Sequence, residues 1–226
     1  MILKSFGCSF IYGTDLVDDG RGFLSARSSQ LTWPSLLAQS LNYDYNCYAR
    51  PGSGNLRILE KILAQTTVEE PAIFVIGWTW IDRFDYTTEI VHPVMRTEII
   101  ENEMWNTVMP VDSDSRAHNY YRELHSQYRD KLTNLIYIKT AVDTLKQKNI
   151  PFVMTYMDNL LFETQWQYTP AIKELQDYVL PYMTKFDGKT FLEYSKEKGF
   201  PISEALHPLE PAHQAAFELI KSYNLV

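Results

Sequence analysis

The run AIFVIGW at residues 72–78 holds seven residues without a charge, with Ile73, Val75 and Ile76 branched at the β-carbon. An apolar run of this length has no polar face to turn to water. It suits a strand buried on both sides, and such strands belong to parallel sheets covered by helices. The flanking sequence agrees. Upstream, LRILEKILAQ (56–65) repeats its apolar residues at helical spacing behind the turn RPGSGN (50–55), which itself follows a strand-like YDYNCYA (43–49). Farther upstream, LTWPSLLAQSL (31–41) reads as a helix with Thr32 as N-cap two residues before Pro34, and the first strand, Ile2 to Phe6, ends at Gly7.

Downstream, periodicity is lost from about residue 79 to 130, where aromatic and acidic residues dominate, and this stretch reads as an insertion. Order resumes with a helix in LTNLIYIKTAVDTLKQKN (132–149), a fourth strand in PFVMTYM (151–157), a tryptophan-bearing loop (158–171), a short helix in AIKELQDYVL (171–180) and a last helix from Pro211 to about Tyr223. Alternating strands and helices with right-handed crossovers predict an α/β fold. The expected architecture is a three-layer α/β/α sandwich with a parallel, flavodoxin-like sheet, formed by residues 1–226 as one domain.

A chain of 226 residues that is 45% hydrophobic can bury a sizeable core without metals or disulfides. Its net charge of -7 argues against nucleic-acid or anionic-membrane partners, which require clustered Lys and Arg, and favours a small-molecule or glycan ligand. The two cysteines, Cys8 and Cys47, read as reduced thiols, with Cys8 in the core. The start MILKSFGCSF lacks a basic segment followed by an apolar one, so the expected location is the cytoplasm. No HExxH, paired CxxC, Walker A loop or complete GxGxxG occurs, and no cofactor or metal is expected.

In open parallel sheets the ligand site lies beyond the carboxyl ends of the strands. Four short blocks fall there: Gly7-Cys8-Ser9-Phe10, Gly52-Ser53-Gly54-Asn55, Gly77-Trp78-Thr79, and Glu204-Ala205-Leu206-His207-Pro208 before the last helix. In order and spacing they resemble the SGNH (GDSL-like) hydrolases over essentially the whole chain. A looser likeness is to short SGNH-like open reading frames of bacteriophages. An α/β-hydrolase elbow is excluded, because G-x-S-x-G would need glycine where Ile11 stands.

The chemistry of the residues fits that resemblance. A serine hydroxyl is a weak nucleophile until an imidazole removes its proton, and Ser9 and His207 are the expected pair. Glu204, three residues before the histidine, is expected to orient the ring. The amides of Ser9 and Gly54 are candidate oxyanion donors. Two positions depart from the family pattern: Thr79 replaces the asparagine of the third block, with Asn55 as a possible substitute donor, and Glu204 replaces an aspartate.

Arg83, Trp78 and Trp80 flank the third block and are candidate substrate-binding residues, although Arg83 has Asp82 and Asp85 as alternative partners. His213 is expected to pack or cap, and His92, His118 and His125 to lie on the surface. Trp105, Tyr120, Tyr121, Trp166 and Tyr168 serve equally well as sugar-stacking faces or as the core of their own loops.

The expected function is a serine esterase that removes O-acetyl groups from a carbohydrate through an acyl-enzyme. The alternatives are a catalytically impaired module that binds a glycan or protein, and a thioesterase or lysophospholipase.

Overall fold

The computed structural model describes residues 1–19, 27–87 and 105–223; His92 lies outside them. In chain order the elements are β1 (Ile2–Phe6), α1 (Ser9–Tyr12), α2 (Trp33–Ser40), β2 (Asp44–Cys47), α3 (Asn55–Gln65), β3 (Ala72–Trp78), β4 (Phe84–Thr87) and β5 (Trp105–Val108). They continue with α4 (Ser115–Asn119), α5 (Gln127–Gln147), β6 (Phe152–Tyr156), α6 (Pro170–Val179), α7 (Phe191–Glu197) and α8 (Glu210–Ser222).

Strands β2, β1, β3 and β6 form a parallel sheet in that order. The register sets Ile2 beside both Asp44 and Ala72, and Phe74 beside Phe152. The apolar run that suggested a central strand is β3, paired on both sides and buried from Ile73 to Trp78. Beyond β6, the Thr184 amide donates to the Met154 carbonyl at 2.7 Å and Met183 bridges Met154, so a fifth strand is reduced to one bridge.

Side chains alternate between the two faces, as strand geometry requires. Phe6, Phe74, Ile76 and Trp78 pack with α3, α5 and α6, whereas Leu3 and Val75 pack with α2, α7 and α8. Helices therefore cover both faces of the sheet. Lys4 is buried under the first layer and stretches its ammonium to Gln65 Oε1 (3.0 Å) and Glu70 (2.6 Å) at the rim.

Three features differ from the sequence expectations or were not anticipated by them. Helix α5 begins at Gln127, five residues before the first apolar repeat, because Ser126 caps it. Helix α7 escaped periodicity, although Thr190 and Glu193 form a capping box at its start. Within the aperiodic stretch, β4 and β5 pair antiparallel and carry their own small cluster of Val108, Ala117 and Tyr120 with Phe84 and Tyr121.

Candidate active site

The site starts where β1 ends. A β-carbon on Gly7 would lie 2.6 Å from Ile11 Cγ1 and 3.0 Å from the Gly77 carbonyl oxygen, and one on Gly77 would also meet Ile11 Cγ1 at 2.6 Å. Two glycines on neighbouring strands thus let the turn after β1 settle onto the sheet, with Ile11 between them. Ser9 opens the four-residue helix α1, which Gly13 closes in the left-handed conformation at φ 84°, donating its amide to Ser9 O. Cys8 is buried among apolar residues, and both cysteines are free thiols.

His207 sits on a small hairpin. Ser203 N donates to His207 O (2.9 Å), and Ile202 bridges Pro208. The edge of one ring meets the face of the other where Phe10 packs on the imidazole, with centroids 5.4 Å apart. His207 Nε2 lies 2.9 Å from Ser9 Oγ, as the nucleophile–base pairing expects.

The carboxylate at the other ring nitrogen is Asp15, not Glu204. Asp15 Oδ2 stands 2.8 Å from His207 Nδ1 and also accepts from the Ser203 hydroxyl at 2.7 Å. Glu204 is exposed, because Leu206 takes a left-handed conformation (φ 66°) and the hairpin turns Ser203 toward the ring. The Ser203 hydroxyl accepts the His207 amide at 3.1 Å while donating to Asp15. Asp15 is itself left-handed (φ 72°), a conformation that aspartate tolerates better than most residues. With a carboxylate at Nδ1, that nitrogen carries the proton and Nε2 is left to accept from Ser9. Asp15 stood within the first block's own loop, six residues after Ser9, and a carboxylate beside a candidate nucleophile was the available signal.

The expected oxyanion side is arranged differently. Gly54 N donates to Asp85 Oδ1 at 2.9 Å, and a β-carbon at Gly54 would lie 2.6 Å from Asp85 Oδ2. Asp85 also accepts from Arg57 N (2.9 Å) and the Thr107 hydroxyl (2.6 Å), so it caps α3 from β4. Burial lifts its carboxyl above the ordinary range despite these bonds.

Asn55 is equally committed. Its Nδ2 donates to Thr79 O (3.1 Å) and Asn134 Oδ1 (2.7 Å), and its Oδ1 accepts Thr79 N (2.8 Å). Both amide hydrogens are used, which removes Asn55 as a substitute donor. The Thr79 hydroxyl, by contrast, is fully buried and has no hydrogen-bond partner among the described residues.

Trp78 is wholly buried in the first-face core, out of a substrate's reach. Trp80 and Arg83 lie at the site: Trp80 meets Phe10 edge to face at 5.6 Å, and the Arg83 guanidinium lies 4.9 Å from the Trp80 ring while donating to Ser53 O at 2.9 Å. Tyr120 and Tyr121 instead pack in the small cluster of the β4–β5 region, Tyr120 stacked on Phe84 at 4.4 Å, and Trp166 packs on the main core and against Tyr128 of α5 at 5.6 Å.

His213 is buried and accepts the Trp33 amide at 3.2 Å, capping α2; desolvation drives its pKa down to about 3. His118 is exposed, whereas His125 is half-buried and sits 2.9 Å from Asp130.

No family model matches the sequence, and no curated protein matches it. Solved structures do. A lipolytic protein of the G-D-S-L family from Veillonella parvula superposes with a TM-score of 0.52 at 11% identity, covering 98% of this chain and 97% of that one. The psychrotrophic esterase EstA from Pseudoalteromonas sp. gives 0.50 at 9% identity over 99% and 98%. A family two carbohydrate esterase from Clostridium thermocellum gives 0.52 at 13% identity over 98% of this chain and 62% of that one. The phage likeness finds no support among these three. Near-complete coverage of this chain in each case means that it has the α/β fold shared by these G-D-S-L lipolytic and esterase structures.

Proposed function

We propose that the protein is a serine esterase, and the observation that carries this reading is the continuous hydrogen-bonded chain from Ser9 Oγ through His207 to Asp15. Ser9 Oγ attacks the ester carbonyl carbon as its proton passes to His207 Nε2. Asp15 stabilises the imidazolium without taking the proton. His207 then protonates the departing alcohol, leaving an acyl group on Ser9. Water, deprotonated by the same imidazole, releases the acid and restores the serine. The developing oxyanion is held by the Ser9 amide, since the Thr79 hydroxyl is as fully buried as Trp78.

Carbohydrate O-deacetylation is the favoured reaction. It is supported by the fold shared with a carbohydrate esterase and by Trp80, an aromatic ring beside the nucleophile's helix. The test is reaction with a fluorophosphonate followed by mass spectrometry. The adduct is expected on Ser9 and absent from Ser9→Ala; a folded protein that forms no adduct, or forms it at Cys8, contradicts the reading.

A second reading, a glycan- or protein-binding module with impaired turnover, is favoured by one observation. Gly54 N and Asn55 Nδ2, both candidate oxyanion donors, are engaged within the protein. A Ser9 adduct without measurable turnover of any acetyl ester supports it.

A further inference from the structure

We propose that Ser203 is a positioning residue of the relay: its hydroxyl ties the Asp15 carboxylate to the backbone of His207, so that acid and imidazole move as one body. This deepens the esterase reading and rests on it for the reaction served. Asp15 and His207 come from segments that are held separately. Asp15 lies in the loop after α1, where its amide donates to Asp19 Oδ2 at 2.6 Å, Asp18 accepts the Gln30 amide at 2.7 Å and Val17 N donates to Glu210 Oε1 at 2.7 Å. His207 stands 192 residues later. Its hairpin is closed by Ser203 N to His207 O (2.9 Å), Leu206 N to Ser203 O (3.0 Å) and Leu209 N to Pro201 O (3.0 Å). A ring and a carboxylate from two such segments, joined by a single hydrogen bond, can still swing about it.

Ser203 removes that freedom. A hydroxyl has one proton to give. Because Ser203 Oγ accepts the His207 amide at 3.1 Å, its own proton goes to Asp15 Oδ2, at 2.7 Å. His207 Nδ1 reaches the same oxygen at 2.8 Å. Oδ2 is thus held from two directions by residues four apart on one hairpin, and a carboxylate acceptor strengthens both bonds. The contacts close a ring that runs from Oδ2 through the Ser203 hydroxyl, the His207 amide and the His207 side chain back to Oδ2. Inside that ring the carboxylate cannot leave Nδ1 without breaking the Ser203 bond as well. The proton therefore stays on Nδ1 and Nε2 faces Ser9 as the acceptor. The hairpin supplies a donor where an acid was expected, and the acid comes from the first loop.

The test is a double-mutant cycle of Ser203→Ala and Asp15→Asn on para-nitrophenyl acetate, with nitrogen NMR of the His207 ring on the alkaline plateau of its titration. Ser203→Ala is expected to lower kcat by about tenfold with KM within about twofold, and to raise the Nε2–H tautomer to about a fifth or more of the neutral ring. Ser203→Thr keeps the hydroxyl and should stay within about threefold of the native rate. In the Asp15→Asn background Ser203→Ala should change kcat by less than about twofold, because the hydroxyl acts through the carboxylate. Equal losses in both backgrounds, which a hairpin merely loosened by the lost amide partner would give, overturn the proposal. An unchanged kcat or a native tautomer in Ser203→Ala does the same. If Ser203→Ala does not fold, Ser203→Cys, similar in size with a weaker donor, is expected to lower kcat and mix the tautomers in the same sense. If the native protein cleaves no ester, the esterase reading fails and the ring nitrogens decide. Mixed tautomers then uphold Ser203 as the positioning residue, and an unchanged Nδ1–H tautomer overturns it.

Discussion

The two halves of the site around Ser9 are built in opposite ways. On the α8 side, Asp15, His207 and Ser9 align their polar atoms toward one another and toward the point of reaction, each within 2.9 Å of the next. On the α3 side, Gly54 and Asn55 turn their donors inward, to Asp85, Thr79 and Asn134. Under the proposed esterase reading the first half is preorganised for proton transfer; the second spends its donors on holding β3, α3, β4 and α5 together. A site can therefore possess a complete relay and still be short of charge stabilisation, and the two halves are separable by mutation.

Breaking the relay has the largest expected effect. Ser9→Ala or His207→Ala should lower ester hydrolysis by on the order of 10⁴-fold or more and abolish fluorophosphonate labelling, with an unchanged circular dichroism spectrum. Asp15→Asn should lower kcat by on the order of 10³- to 10⁴-fold, because the amide favours the wrong tautomer. Glu204→Gln should stay within about twofold; a large loss there with a mild one at Asp15 would reverse the assignment of the acid.

The α3 side is sharpened by two substitutions. Because the Thr79 hydroxyl is fully buried, Thr79→Val should keep kcat within about twofold, whereas a loss of about 10- to 100-fold with KM nearly unchanged would make it an oxyanion donor, which acts mainly in the transition state. Asp85→Ala removes the cap from α3 and should cost about 1–2 kcal/mol in urea unfolding. If Gly54 N then turns to the oxyanion, kcat rises by about tenfold despite the lower stability; a loss of both marks Asp85 as a structural cap alone.

An effect on stability alone concerns His213, which lies in α8 behind the hairpin that carries His207. Its neutral ring is favoured by the fold, with a pKa near 3 against 6.5 when unfolded. The stabilisation is full above pH 6.5 and is lost as pH falls from there toward 3, at up to about 1.4 kcal/mol per pH unit. The difference in unfolding free energy between native protein and His213→Asn, measured at pH 7.5 and pH 5, should narrow accordingly.

The chain's own pattern carried the sheet. A doubly buried strand must be apolar throughout, so Ala72–Trp78 was legible residue by residue. Helices with one apolar face, such as α3 and α8, were legible for a related reason, since their spacing reflects burial. Ser9 and His207 could be paired because strand ends in a parallel sheet converge on one edge whatever the details of the loops. Loop conformation was not legible. Whether Glu204 or Asp15 reached the imidazole depended on the left-handed residues 15 and 206, which redirect side chains without leaving a spacing to read. Nor could the local sequence reveal that Gly54 and Asn55 were spent, because their partners Asp85 and Asn134 lie 31 and 79 residues away and meet them only when β4 and α5 pack against α3. Periodicity records which way a side chain faces relative to its own element, whereas a hydrogen bond between elements exists only once packing has fixed their separation and orientation.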